Sequence, residues 1–420
     1  MVRIKLLGVL AAVLAGASAA LAAGPNPPSG GTGFGGTTTT TTTNRATPAS
    51  SPARAPSNPF DGRAMWIWEL SGVAGGQLGS IIATAHASGV RTLVIKSADG
   101  TGTWTQFTPA LVQTLHANGI RVCAWQYVYG NHPVDEAKAG AVAVRDGADC
   151  LVIDAEIEYD GKYEQAQSYL RELRSLIGYR FPVALAGLPY VDYHPAFPYS
   201  VFLGPGGAQY NAPQMYWAAI GTTVDGVYTH TYLFNRPYGR PIFPLGQVYG
   251  DPPARAIRRF RQLSASYGAS GISWWDWQDA GAGAWRALAQ PLGPLAGFTP
   301  TAGIASLGKG AEGDLVVWAQ EHLVAAGARI GVDGAFGPET KAAVKAFQSA
   351  HGLPASGLID TPTWTALLRY RPAHIVWTRG AVLAGAAARH GLTPVPESAS
   401  LPDKRDELAG AGGAGYPPRR

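Results

Sequence analysis

From residue 64 onward, short apolar runs alternate with stretches in which apolar residues recur at helical spacing. Residues 64–68, 92–97, 122–129, 150–157, 183–188, 213–217, 242–248 and 271–277 read as strands. Between them, 78–88, 108–118, 134–148, 163–177 and 254–267 carry the helical period. Strand–helix alternation repeated in this way predicts an α/β fold, a (β/α)8 TIM-type barrel, whose usual length is ~250 residues. An open doubly wound sheet is the alternative, but no strand is followed by a Gly-rich phosphate loop. Residues 189–212 and 218–241 read as long aromatic loops of the kind that build a barrel's cleft. A proline-containing joint at 291–300 leads to a small all-α region.

Composition changes this picture mainly at the ends. Arg3 and Lys5 precede an apolar run at 6–14 and then small residues with Ala17-Ser18-Ala19 or Ala20-Leu21-Ala22 as the cut, so 1–23 read as a secretory signal peptide. The run is short of the ~20 apolar residues a membrane span needs. Residues 24–58, with seven consecutive threonines at 37–43, are too poor in apolar side chains to offset ordering entropy and read as a disordered spacer. The barrel is expected at 59–292, the helical module at 303–370, and a solvated, disordered tail at 371–420. A net charge of +5 is a mild basic excess that suits contact with anionic polymers and gives no argument for nucleic acid. Two cysteines in an exported chain of 420 residues cannot be its main scaffold.

The C-terminal pattern is dense. Gly310, Gln320 and Leu323 are followed by Val332-Asp333-Gly334-Ala335-Phe336-Gly337-Pro338-Glu339-Thr340, then Ala343-Val344-Lys345-Ala346-Phe347-Gln348, then Gly357-Leu358-Ile359-Asp360-Thr361-Pro362-Thr363-Trp364. Asp333-Gly334 makes a turn with the glycine at positive φ, Gly337-Pro338 starts a helix, and Val344 and Phe347 face a core. This segment resembles the peptidoglycan-binding domain type one, a three-helix module. The resemblance implies peptidoglycan glycan strands as partner and a secreted, wall-associated protein. Asp333, Thr340 and Gln348 remain as candidate ligand contacts, whereas Trp364 reads as core. Residues 305–370 are expected to fold alone.

The chemical signal of the barrel is Val152-Ile153-Asp154-Ala155-Glu156-Ile157-Glu158. Side chains alternate on a strand, so Asp154, Glu156 and Glu158 share a face and climb toward the C-terminal mouth, where barrel enzymes keep their chemistry. Buried carboxylates are costly unless paired or used, and an ion-pair network with Lys96 is the structural alternative. Residues two apart on a strand lie ~6.6 Å apart at Cα, near the ~5 to 9 Å range of glycosidase carboxylate pairs. With Leu93-Val94-Ile95-Lys96-Ser97-Ala98-Asp99-Gly100-Thr101, Cys123-Ala124-Trp125-Gln126-Tyr127, Gln214-Met215-Tyr216-Trp217 and Trp277-Gln278, this strand resembles the family twenty-five glycoside hydrolases, muramidases of peptidoglycan. That family starts its first strand with a Gly-Ile-Asp-Val-Ser acid, where this chain reads Met65-Trp66-Ile67-Trp68-Glu69, and Gln126 replaces a histidine.

The resemblance implies Glu156 as general acid and Asp154 as the group that orients and stabilises the substrate's 2-acetamido group. Lys96, Asp99, Gln126, Glu158, Gln214, Tyr216, Asp276 and Gln278 become candidate substrate contacts. Trp68, Tyr127, Tyr129, Tyr216 and Trp274 offer faces for sugar rings. No metal or cofactor is expected, since His132, His194 and His230 are scattered and no HExxH or Gly-x-Ser-x-Gly occurs. If Gln126 and Asp154 both face inward, Cys123 and Cys150 point to opposite sides, which favours two buried thiols over a bridge. The chain is expected to be a monomeric cell-wall glycan hydrolase, the rival being a non-catalytic wall-binding protein with a degenerate barrel.

Overall fold

Alternation along the first strand sets the two sides of the sheet. In β1 (Gly62–Ile67), Ala64 and Trp66 enter one buried cluster and Met65 and Ile67 another. The first cluster fills the barrel; the second lies between sheet and helices. The structure, a computed structural model, describes residues 58–378. The expected signal peptide, nearly all of the spacer and most of the tail lie outside the described residues.

The remaining strands are β2 (Val90–Asp99), β3 (Gly102–Thr103), β4 (Arg121–Val128), β5 (Cys150–Ala155), β6 (Val183–Ala186), β7 (Tyr210–Asn211), β8 (Leu245–Gln247) and β9 (Gly271–Trp275). They run β7-β6-β5-β4-β2-β1-β9-β8, all parallel, with β3 folding back antiparallel on β2. Bridges Asn211–Ile242 and Gln214–Leu245 close the ring. Helices α1 (Leu78–Ala87), α2 (Pro109–Ala117), α3 (Pro133–Arg145) and α4 (Tyr163–Ile177) follow β1, β3, β4 and β5. Then α5 (Tyr199–Phe202), α6 (Val224–Asn235), α7 (Ala254–Ser266) and α8 (Ala282–Ala289) follow β6 to β9. The fold is the expected α/β barrel of TIM type.

Four readings of the pattern need correction. The strand expected at 213–217 is instead β7, Tyr210–Asn211, inside the segment read as a loop, and Gln214 makes only an isolated bridge. Residues 218–241 are not a cleft loop: they contain α6, capped where Thr223 Oγ1 accepts from Gly226 N. Its aromatics bury against the next helix layer, Tyr228 on Phe260 and Tyr232 on Tyr267 (ring centroids 4.8 and 4.4 Å). The acidic strand, β5, ends at Ala155, and a 3-10 turn (Ile157–Tyr159) carries Glu158. Finally, Cys123 and Cys150 are bonded to each other. They are register partners on β4 and β5, and partners on neighbouring parallel strands point the same way. The same register pairs Tyr127, not Gln126, with Asp154.

Trp66, Trp125 and Trp275 meet inside the barrel at 5.4 to 5.7 Å between ring centroids. Trp125 Nε1 donates to Ile67 O at 3.1 Å, so its polar edge is satisfied within the wall. This plug fills the interior with side chains, as barrels of eight strands require.

The C-terminal region is α9 (Asp314–Ala325), α10 (Pro338–Ala350) and α11 (Thr361–Leu367). Two glutamines organise it in the same way. Gln320 accepts from Gly334 N and donates to Ala335 O and Thr340 Oγ1; Gln348 accepts from Gly357 N and donates to Leu358 O and Thr363 Oγ1. Each amide closes the loop ahead of the next helix. Asp333, Thr340 and Gln348 are thus occupied internally, and Trp364 is core, its Nε1 donating to Ala305 O.

Instead of standing free, this region is locked to the barrel. Asp314, fully buried, accepts from Tyr163 Oη (2.8 Å), Ser200 Oγ (2.7 Å), Ser200 N (2.8 Å) and Tyr238 Oη (2.7 Å), all barrel groups. Trp318 Nε1 donates to Pro237 O at 2.7 Å. Gly313, at φ 105°, lies so close to Pro195 that a Cβ would stand 2.4 Å from it. The first residues of the tail are also placed: Gln167 holds Ile375 O and Trp377 N, and Trp377 packs on Tyr163 at 4.7 Å.

Two tests follow from this junction. Asp314→Ala strands three buried hydroxyls and a buried N–H, so urea unfolding is expected to show a loss of about 3 kcal/mol or more, in a transition that includes the barrel. A loose tether would leave the barrel transition unmoved. The second test uses Glu321, which burial, and then the Asp314 charge, push from 4.5 up to about 9. Folded chains therefore hold a proton that unfolded chains release in that window, so stability from this group falls as pH rises from 4.5 to 9. Glu321→Gln is expected to remove that fall, gaining on wild type in melting temperature as pH rises; parallel profiles would contradict it.

Candidate functional site at the barrel mouth

Register stacks Asp99, Tyr127, Asp154 and Ala186 in one layer of the barrel, one layer nearer the C-terminal end than Lys96, Trp125 and Val152. Asp154 is fully buried, and Glu156 nearly so, just past the end of β5. Gln214 sits opposite, at the bridge that closes the ring, and its Nε2 donates to Asp154 Oδ1 at 3.0 Å and to Glu156 Oε1 at 2.7 Å. Two carboxylate oxygens that share one amide nitrogen lie within about 6 Å of each other. Gln214 Oε1 is buried without a hydrogen-bond partner among the described residues.

Other polar groups line the same mouth. Tyr127 Oη donates to Glu158 Oε2 at 2.8 Å. Burial first, and the charges of Glu156, Glu158 and Asp154 next, push its phenol far above the usual range, which keeps it a donor. Lys96 is buried, bonded to Asp99 Oδ2 at 2.7 Å and set over the Trp104 and Trp125 rings at 4.5 and 4.7 Å. Asp99 Oδ1 accepts from Tyr129 Oη at 2.9 Å. Tyr216 is buried with its ring against Tyr249 at 5.5 Å. The Gln278 amide lies between Asp276 Oδ2 (3.2 Å) and the backbone N–H groups of Trp68 (3.2 Å) and Glu69 (2.8 Å). Glu69 and Trp104 border an adjoining groove of about 690 Å³.

Two candidates do not reach the mouth. Gln126 points outward beneath α3 and α4: Nε2 donates to Gly100 O (2.8 Å) and Glu136 O (2.7 Å), and Oε1 accepts from Tyr169 Oη (2.9 Å). A Cβ on Gly140 would lie 2.3 Å from that oxygen, so α3 needs glycine there. Trp274 faces the outer layer, on Phe260 at 5.1 Å, and Trp275 takes the inward position. Both corrections have one cause: a side-chain face depends on register, and the assumed one was a residue out.

The sequence pattern did not single out His194. It stands on the loop after β6, where burial pushes its imidazole down to about 4 although the Glu156 and Asp192 charges pull it up. It is therefore neutral near pH 7 and close enough to Glu156 to feel its charge. Glu136 was missed as well; its two oxygens accept from the N–H groups of residues 129 to 132 and hold the loop that carries Tyr129. A lone histidine or a helix glutamate gives no local pattern by which to find it.

Among the described residues no group of His, Cys, Asp and Glu is placed to hold a metal ion, and no helix is long and apolar enough to cross a membrane. In the C-terminal module, Leu323, Ile330, Glu339, Phe347 and His351 line a groove of about 530 Å³ between α9 and α10.

Comparison with known proteins bears on the C-terminal region. Residues 312–367 match the family model described as a putative peptidoglycan binding domain. Over 62 residues the chain is 42% identical to the zinc D-Ala-D-Ala carboxypeptidase of Streptomyces albus G, which covers 14% of this chain and 24% of that protein. The Burkholderia AP3 phage endolysin is 43% identical over 15% of this chain and 24% of its own, at a TM-score of 0.15. A putative chitinase A from Streptomyces coelicolor aligns with 55% of this chain and 97% of its own at 13% identity and a TM-score of 0.42. The chain thus spans about a quarter of the first two relatives.

Gln126→Leu separates structure from site. It leaves two buried carbonyls and the Tyr169 hydroxyl short of a partner, so denaturant unfolding is expected to show a loss of about 2 kcal/mol. Binding of soluble glycan fragments should stay unchanged; a selective loss of binding would put Gln126 back in the mouth.

Proposed function

We propose that this chain is an exported cell-wall hydrolase that cleaves peptidoglycan glycan in a muramidase-like way. The observation that carries the reading is the Asp154–Glu156 pair, held by one Gln214 amide at the mouth of a closed barrel. The match of residues 312–367 supports peptidoglycan as the surface on which the module docks.

In this reading Glu156 gives its proton to the glycosidic oxygen as the bond to C1 breaks. The substrate's acetamido oxygen attacks C1, and Asp154, one layer deeper, stabilises the positive charge that develops on that group. Glu156, now ionised, takes a proton from the water that opens the cyclic intermediate, so the acid is restored. Gln214 keeps both carboxyls in place without adding charge. Trp68 and Tyr129 offer faces for sugar rings, and Asp99, Glu158, Asp276 and Gln278 offer polar contacts for their hydroxyls, while buried Lys96 holds Asp99 and buried Tyr216 packs on Tyr249.

Glu156→Gln preserves shape and removes the acid. Wild type incubated with insoluble peptidoglycan is expected to release reducing ends, and the variant to do so about 10² to 10⁴ times more slowly while still sedimenting with the wall. Equal release by both proteins would overturn the assignment; no release by wild type from any wall glycan would leave a non-catalytic wall-binding protein as the better reading.

A further inference from the structure

A second concave site lies away from the mouth, where the C-terminal strap crosses between barrel and module. It encloses about 610 Å³, within the size range of small-molecule sites. Leu170 of α4, Glu321 of α9 and Val376 of the strap line it. Glu321 is 5% exposed and lines the crevice, and its carboxyl feels burial first and the Asp314 charge next. Such a group is costly to bury unless something in the crevice meets it. Arg171, Arg371 and His374 stand around the same crevice at exposed positions, so the potential there favours an anion. The strap that makes one wall is not loose, since Gln167 holds it at both Ile375 and Trp377.

We propose that this crevice binds the free carboxylate of a cell-wall fragment, with Glu321 as hydrogen-bond donor and Arg171 and Arg371 as the cationic partners. The choice of a wall fragment rests on the function proposed above; the carboxylate chemistry rests on the crevice alone. Protonated Glu321 donates one hydrogen bond to the ligand oxygen, which explains why a carboxyl and not an amide-free apolar side chain stands at the floor. Its raised pKa, about 9, fits that role at neutral pH. The apolar walls suit alanine-sized side chains or a lactyl methyl group. Two wall fragments carry such a carboxylate: the end of a stem peptide, and the lactyl arm of a muramic acid from which the stem peptide has been removed.

The full chain is titrated, by saturation-transfer NMR and calorimetry, with acetyl-alanyl-alanine, its C-terminal amide, N-acetylmuramic acid and N-acetylglucosamine. Saturable binding that the arginine changes weaken is expected for one or both carboxylates, whereas any binding of the amide or the neutral sugar is insensitive to those changes; which acid binds identifies the source. Combined Arg171→Gln and Arg371→Gln, both at exposed positions, should weaken binding about tenfold or more. Glu321→Gln, which keeps a donor, should stay within about threefold, and Glu321→Leu should weaken binding about tenfold. Binding that ignores the arginine changes, or that is equal for acid and amide, overturns the proposal, as does no binding of either acid. These outcomes are independent of glycan release: a chain that binds the acid but cuts nothing keeps this site and loses the glycosidase, and a chain that cuts but binds neither acid does the reverse.

Discussion

Where the chain leaves a strand or enters a helix inside the protein, buried backbone N–H and C=O groups need partners other than water, and in this protein glutamine amides repeatedly supply them. An amide offers a donor and an acceptor on one planar group, so it can hold a carbonyl and an N–H of two different segments at once. Gln106 ties Leu70 N to Trp68 O and Lys96 O, fixing the ends of β1 and β2 together. Gln247 holds Ala218 N, Gln126 joins β4 to α3 and α4, and Gln320 and Gln348 close the two loops of the module. Gln214 uses only the donor half of its amide, its Nε2 serving two carboxylates at once. Charged side chains would bring a larger desolvation penalty to each of these places.

The layered interior follows from that restraint. With strand ends pinned, the three tryptophans pack beneath the acids and leave the polar side chains no route but toward the C-terminal mouth. Lys96 can be buried there because Asp99 and two indole rings meet its charge. Asp154 and Glu156 stay near each other because one neutral donor serves both.

The junction makes barrel and module one mechanical unit. Asp314 is held by four barrel donors, yet burial still lifts it to about 6, since those hydrogen bonds only partly offset the loss of water. A carboxyl so placed ties α9 to the loop 195–200 that follows His194 along the chain. The module's groove therefore keeps a set relation to the barrel that carries the acids, and the region gains its stability from the barrel face it covers.

Much of this was legible along the chain. Periodicity located most strands and helices, because period 2 and period 3.6 are local properties of a few residues; α4 was read to its ends, and the acids at 154 and 156 stood out by their alternation with Ile153 and Ala155, whereas the two-residue strands β3 and β7 are too short to show a period. The Asp-Gly turn and Gly-Pro helix start of the module were equally local. Register was not. Which of Gln126 and Tyr127 faces inward, whether Cys123 meets Cys150, and whether Trp274 or Trp275 lines the interior each depend on how β4 and β5, and β9 and β1, lie against one another, which involves residues 27 and 209 positions apart along the chain. The same holds for Gln214 finding the two acids, His194 approaching Glu156, and Asp314 meeting Tyr163, Ser200 and Tyr238. Sequence alone determined the elements and the residue types available for chemistry; tertiary structure decided which of them touch, because contact between distant segments is set by packing and hydrogen-bond satisfaction in three dimensions, for which no local pattern is a substitute.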